Sequence, residues 1–358
     1  MQDPAPLAYV GCRTSRERNA RGDGINVFRT DPAGGPWTHI QRVGDLFNPS
    51  YLALAPDRRT LYAVHGDASE VSAFRVDAAS GRLAFLNRAS THGMNPVHLA
   101  VDRSGRFLVI ANHVTTPQFA SGLAVLSLAP DGALGELTDL VALQGKLGPH
   151  KVEQPFPKPH QVQFDPTGRF IIVPDKGRDV VEAYRLDAAG KLSVMAGAPR
   201  AQEGAGPRHV AFTADARFAY VLNELNSTIE AFRFDPETGA LAPFQVLPSL
   251  PDTFTGDSRA SEIEVSAGGR FVYASNRGAD TIGVFAIEAA SGRLSPRGWQ
   301  ATGGKTPRFF ALAPGGRILF AANEDSDSIT ALQIDPGSGA LGAAVQVAQT
   351  GSPTCIVF

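Results

Sequence analysis

The sequence predicts an all-β chain folded as a single seven-bladed β-propeller over residues 1–358, with four strands in each blade. Two recurring turns and one recurring proline carry that prediction. A hairpin turn rich in Gly and Arg recurs six times between apolar runs, at 57–60, 102–106, 165–169, 215–217, 267–270 and 313–317. A second turn, with Asp or Glu and small residues leading to Gly and an apolar residue, occurs seven times, at 31–37, 77–83, 130–134, 187–192, 235–241, 288–294 and 335–341. Pro49, Pro96, Pro159, Pro207, Pro307 and Pro353 open successive units, with Ala260 in the remaining place, giving steps of 47, 63, 48, 53, 47 and 46 residues.

Each turn is flanked by runs such as Phe107-Leu108-Val109-Ile110 or Thr228-Ile229-Glu230-Ala231-Phe232, whose β-branched and aromatic residues suit a pleated, half-buried surface. A unit therefore reads as four strands, A to D, with the first turn joining A to B and the second joining C to D. The hairpin missing from the seventh unit falls at the ends of the chain. Residues 353–358 read as a strand A with nothing after it, and residues 7–10 as a strand B with nothing before it. Pairing these two segments in one blade closes the ring and leaves no open sheet edge between blades.

Composition narrows the class. The net charge of −2 leaves no broad positive field for nucleic acid or an anionic membrane, so a cationic site must be local. No run of 18 apolar residues occurs, and the opening Met1-Gln2-Asp3-Pro4-Ala5-Pro6 lacks the cationic and apolar regions of a secretory leader. A cytoplasmic chain is expected, as a monomer or weak homo-oligomer, unless a leader has already been removed. Two cysteines are too few for a disulfide scaffold, and no histidine pair has zinc-binding helical spacing, so neither a metal nor a cofactor is expected.

Antiparallel succession puts the entry to each strand A and the exit from each strand B at one end of the ring. The residues after the entry proline or alanine are Ser50, Val97, His160, Arg208, Ser261, Arg308 and Thr354; those at the exit are Arg13, Gly66, His113, Lys176, Glu224, Arg277 and Glu324. A structural repeat needs no ionisable groups there. His160, Arg208, Glu224 and Arg277 nevertheless fall on consecutive blades where the innermost strands converge. The long step contains 144–158, a stretch rich in Pro and Lys that is expected to hang over the same end.

At these positions the chain resembles the propeller lactonase family. The segments are Pro159-His160-Gln161-Val162, Gly206-Pro207-Arg208-His209-Val210-Ala211-Phe212, Tyr220-Val221-Leu222-Asn223-Glu224, Ala260-Ser261-Glu262-Ile263, Tyr273-Ala274-Ser275-Asn276-Arg277-Gly278 and Thr306-Pro307-Arg308-Phe309. That family includes 6-phosphogluconolactonases and the fungal carboxymuconate-lactonising enzyme. The resemblance implies catalytic roles for His160, Arg208, Glu224 and Arg277, with Arg308, His209, Lys176 and Glu262 as substrate-binding candidates. It departs at Lys158, where a second histidine is common, and at Asn112-His113, where Asn-Tyr is usual.

The implied reaction is the metal-independent opening of a small anionic lactone, most directly 6-phosphogluconolactone. A fixed guanidinium, Arg208 or Arg277, would stabilise the oxyanion, and another, helped by Arg308, would hold a phosphate or carboxylate. Glu224 or His160 would deprotonate water, with Glu224 the preferred base. Two rivals remain open: a lactonising cycloisomerase acting on a carboxymuconate-like diacid, and a propeller that only binds. Individually, Glu224 could be an ion-pair partner for a rim arginine, and His98, His113, His150 and His209 satisfied hydrogen-bonding groups. Cys12 and Cys355 are expected to lie close in the shared blade as reduced thiols without a catalytic role.

Overall fold

Strands dominate the computed structural model, which describes residues 6–358; the leader reading of residues 1–5 lies outside the described residues. They form seven four-stranded sheets, each antiparallel with its strands in simple meander order. The strands nearest the axis are the A strands, including Pro49–Leu54, Met94–Val101, Pro207–Phe212, Arg259–Val265, Pro307–Leu312 and Pro353–Val357, which pack on one another from blade to blade. The expected closure is present: Leu7–Cys12 pairs antiparallel with Pro353–Val357, placing Tyr9 opposite Val357 and Gly11 opposite Cys355. Among the described residues no helix is long and apolar enough to cross a membrane.

The repeat works because its apolar residues meet across blades. Phe218, Tyr220 and Leu222 of one blade share a cluster with Ala260, Ile263, Val272 and Phe285 of the next. The strand B tyrosines reach one blade further round. Tyr9, Tyr62, Tyr220 and Tyr273 each donate their hydroxyl to a glycine carbonyl in a neighbouring C–D turn, Gly81, Gly132, Gly292 and Gly339 respectively, at 2.8–3.1 Å. Each such bond is worth about 1 kcal/mol net. The turn glycines are required twice over. Gly292, for instance, sits at φ +75°, and a Cβ there would meet the Phe218 ring at 2.3 Å.

Blade three departs from the pattern. Its strand A shrinks to Gln163–Phe164, and only an isolated bridge between Pro159 and Asp175 marks the entry. His160, Gln161 and Val162 lie between these points, buried but outside the ladder. His160 N–H bonds the Pro174 carbonyl at 3.0 Å, while Gln161 Oε1 accepts the Val210 N–H at 2.6 Å. The two cysteines of the shared blade are free and fully buried. Burial pushes the Cys12 thiol up to about 12 and the Cys355 thiol further still, so neither offers a thiolate to solvent.

Candidate active site

The entry turn of strand A decides which side chains reach the axis. Asn48, Asn95, Gly206, Thr306 and Ser352, each directly before an entry proline, all have positive φ, which reverses the chain into the strand. Immediately afterwards six of the seven A–B ladders slip by one residue: pairing jumps from Pro49 to Tyr51, Pro96 to His98, Pro207 to His209, Ala260 to Ile263, Pro307 to Phe309 and Pro353 to Cys355. A bulge of this kind re-aims the unpaired side chain. Ser50, Val97, Arg208, Arg308 and Thr354, the bulged residues, accordingly line one cavity with His160, His209 and Arg13.

A cluster of ion pairs stands around this cavity. Glu224 takes Lys176 Nζ at 2.8 Å, Arg208 Nε at 3.1 Å, Arg277 Nη2 at 3.4 Å and Arg259 Nη1 at 3.7 Å. Glu153, from the 144–158 segment, bonds Lys176 at 3.0 Å and Arg259 at 2.7 Å, so that segment does lie over this end of the ring. Across the opening, Glu324 meets Arg13 at 2.8 Å and Arg308 at 3.7 Å. Six cations thus share three carboxylates. Their mutual repulsion is visible in the arginines. Burial lowers Arg13 to about 10 with Arg308 as the next cause, and burial followed by Arg277 lowers Arg208. An anion entering the cavity relieves that excess.

Four of the eight expected site residues line the cavity: His160, Arg208, His209 and Arg308. The other four are not among its lining residues. Lys176 is buried with its ammonium divided between Glu153 and Glu224, so it is occupied by carboxylates and is not among the lining residues. Glu262 lies beneath His209, bonding its Nδ1 at 2.8 Å. Arg277 donates to the Arg259 and Ala260 carbonyls as well as pairing with Glu224. Glu224 is surrounded by its cations. Burial would raise its carboxyl, but Arg277, Lys176 and Arg208 outweigh burial and hold it well below the usual carboxylate range.

His160 has the opposite character. Burial first, then Arg208, His113 and His209, holds its imidazole well below the usual range, so it remains neutral. Its Nδ1 lies 3.2 Å from His209 Nε2, and its Nε2 has no hydrogen-bonding partner among the described residues. Sequence reasoning missed Arg13 and Glu153 as parts of the site. Arg13 occupies an exit slot like Glu224, a signal that was there to be used, whereas Glu153 sits in an irregular loop with no repeat counterpart. Among the described residues no group of three or more His, Cys, Asp and Glu is arranged to hold a metal ion.

The surroundings of Glu224 set an expected result. Glu224→Gln removes the charge that Lys176, Arg208 and Arg277 share, leaving buried cations uncompensated, and should destabilise the fold by about 3–5 kcal/mol. Denaturant unfolding of this variant, beside a surface control such as Glu237→Gln, measures it; a loss no larger than the control's contradicts the structural role.

Known proteins resemble the chain along nearly its whole length. A family model described as "Lactonase, 7-bladed beta-propeller" matches residues 7–358. The 6-phosphogluconolactonase of Bacillus subtilis (strain 168) is 32% identical over 310 residues, covering 86% of this chain and 85% of the relative. That of Formosa agariphila is 30% identical over 319 residues, covering 86% of each. Among solved structures, a periplasmic gluconolactonase of Pseudomonas aeruginosa superposes with a TM-score of 0.88 at 33% identity, covering 99% of both chains.

Proposed function

The chain belongs to the seven-bladed β-propeller lactonase family, and from that membership we propose that it hydrolyses a sugar lactone, with 6-phosphogluconolactone as substrate and 6-phosphogluconate as product. The observation that carries the reading is a neutral imidazole, His160, and a surplus of guanidinium charge on the walls of one cavity.

In this reading His160 Nε2 takes a proton from water as the water oxygen bonds the lactone carbonyl carbon. The carbonyl electron pair moves to oxygen, where Arg208 meets it. That guanidinium is held in place by the Ser261 carbonyl and the Glu224 carboxylate, so it meets the developing oxyanion without rearranging. Collapse of the intermediate breaks the ring C–O bond, and the departing alkoxide takes the proton from His160, leaving a free acid that ionises in solvent. Glu224, clamped by cations, positions Arg208 and Arg277 in place of the base role expected from sequence. Arg13 and Arg308, which share Glu324 as their ion-pair partner among the described residues, hold the phosphate.

We infer a cytoplasmic setting from the phosphorylated substrate of this reading, since a phosphorylated sugar does not cross membranes unaided, whereas an unphosphorylated substrate would suit the periplasm named for the Pseudomonas aeruginosa protein. The test is hydrolysis of 6-phosphogluconolactone against gluconolactone, corrected for spontaneous opening. Arg308→Met should raise KM for the phosphorylated lactone roughly 10- to 100-fold, as for loss of a charge-assisted hydrogen bond, and leave that for gluconolactone nearly unchanged. Equal effects on both substrates remove Arg308 from phosphate recognition; no turnover of either refutes the reading.

A further inference from the structure

His160 does not stand alone in the channel. Its Nδ1 is 3.2 Å from His209 Nε2, and His209 Nδ1 is 2.8 Å from Glu262 Oε1. All three residues are buried. Two groups that can only donate reach into this chain. The Ile263 N–H reaches Glu262 Oε1 at 3.0 Å, and Arg208 Nη1 reaches His209 Nε2 at 3.3 Å. A backbone amide and a guanidinium have no acceptor capacity, so their partner atoms must be acceptors.

That condition propagates. With Glu262 ionised, or protonated on Oε2, Oε1 can only accept, so His209 Nδ1 bears the hydrogen between them. His209 Nε2, which accepts from Arg208, is then bare, and the hydrogen in its contact with His160 belongs to His160 Nδ1. His160 Nε2 is left without hydrogen and without a partner among the described residues, on a ring that lines the cavity. Burial raises the Glu262 carboxyl. A proton on Oε2, the oxygen that has no hydrogen-bonding partner among the described residues, leaves both bonds to Oε1 in place. The arrangement therefore holds with Glu262 ionised and with its proton on Oε2.

We propose that His209 and Glu262 are positioning residues that lock His160 in the tautomer carrying hydrogen on Nδ1, so that the bare Nε2 is presented to the cavity as the general base. The inference rests on the lactonase reading for the word base, but the tautomer is a property of the resting protein. It assigns Glu262 a role through acceptor geometry and not through its charge, which distinguishes it from a carboxylate that stabilises an imidazolium by electrostatic attraction.

The experiment is long-range 1H–15N correlation NMR on protein labelled with 15N-histidine, with the His160 signals assigned by their loss in His160→Gln. Wild type is expected to show His160 protonated at Nδ1 and bare at Nε2. His209→Phe should move the hydrogen to Nε2 and lower kcat by at least about 100-fold, with KM changed far less, as for a wrong tautomer. Glu262→Leu should lower kcat roughly 10- to 100-fold. Glu262→Gln, whose amide oxygen accepts the same two N–H groups, should recover most of that loss. A wild-type His160 protonated at Nε2, or a Glu262→Gln variant as impaired as Glu262→Leu, overturns the proposal. Absence of lactone turnover in wild type would refute the functional reading while leaving the tautomer result standing, so the two failures are told apart.

Discussion

Removal of residues 353–358 is expected to abolish cooperative folding of the whole ring. Pro353–Val357 is the innermost strand of its blade, and it packs on the neighbouring inner strands Pro49–Leu54 and Pro307–Leu312 as well as pairing with Leu7–Cys12. Thr354, Cys355 and Ile356 are buried. Their loss would open Leu7–Cys12 as a new edge and expose Val10 and Leu52, which belong to the same apolar cluster as Cys355 and Ile356. Losing the Ile356 side chain alone would cost about 2–5 kcal/mol, a large part of the roughly 5–15 kcal/mol that stabilises a typical domain. The truncated chain should be insoluble or lack a cooperative thermal transition by circular dichroism. A truncated protein melting within a few degrees of wild type would show that the closure contributes little.

His160→Gln should lower kcat for lactone hydrolysis roughly 10²- to 10⁴-fold, the range for loss of a general base, while leaving the thermal transition nearly in place. The pH profile supplies an independent check. A base works while unprotonated, and His160 is held well below the usual imidazole range, first by burial and then by Arg208. Its contribution is therefore fully present at and above the ordinary imidazole range, and it is lost only as pH falls through the lowered value. The acid limb of kcat/KM in wild type should lie below about pH 6.5. A limb at or above that pH, or an unchanged kcat in the variant, removes His160 from the chemistry.

Much of the fold was legible because its signals are local. A hairpin turn is specified by a few adjacent residues, so the two repeated turns and the entry prolines located all seven blades and the shared blade at the termini. Blade three shows the limit. Pro159 marks the entry correctly, but regular pairing does not begin until Gln163, a gap that neither the turns nor the prolines mark.

By itself the sequence determined the ring, its closure, and the set of entry and exit positions that converge at one end. Tertiary structure alone decided which of those side chains line the cavity and which do not. Arg208 and Arg308 line it because each is the unpaired residue of a bulge, a geometry that shows only in the pairing register. Glu224 and Lys176 hold equivalent exit slots on neighbouring blades, and opposite charge draws them together at 2.8 Å, beside the cavity and not among its lining residues. Arg13 meets Glu324 across 311 positions of chain only because the ring closes. Contacts of this kind depend on the direction of side chains from separate blades, and the energy that selects them exists only once burial has removed water from the charges.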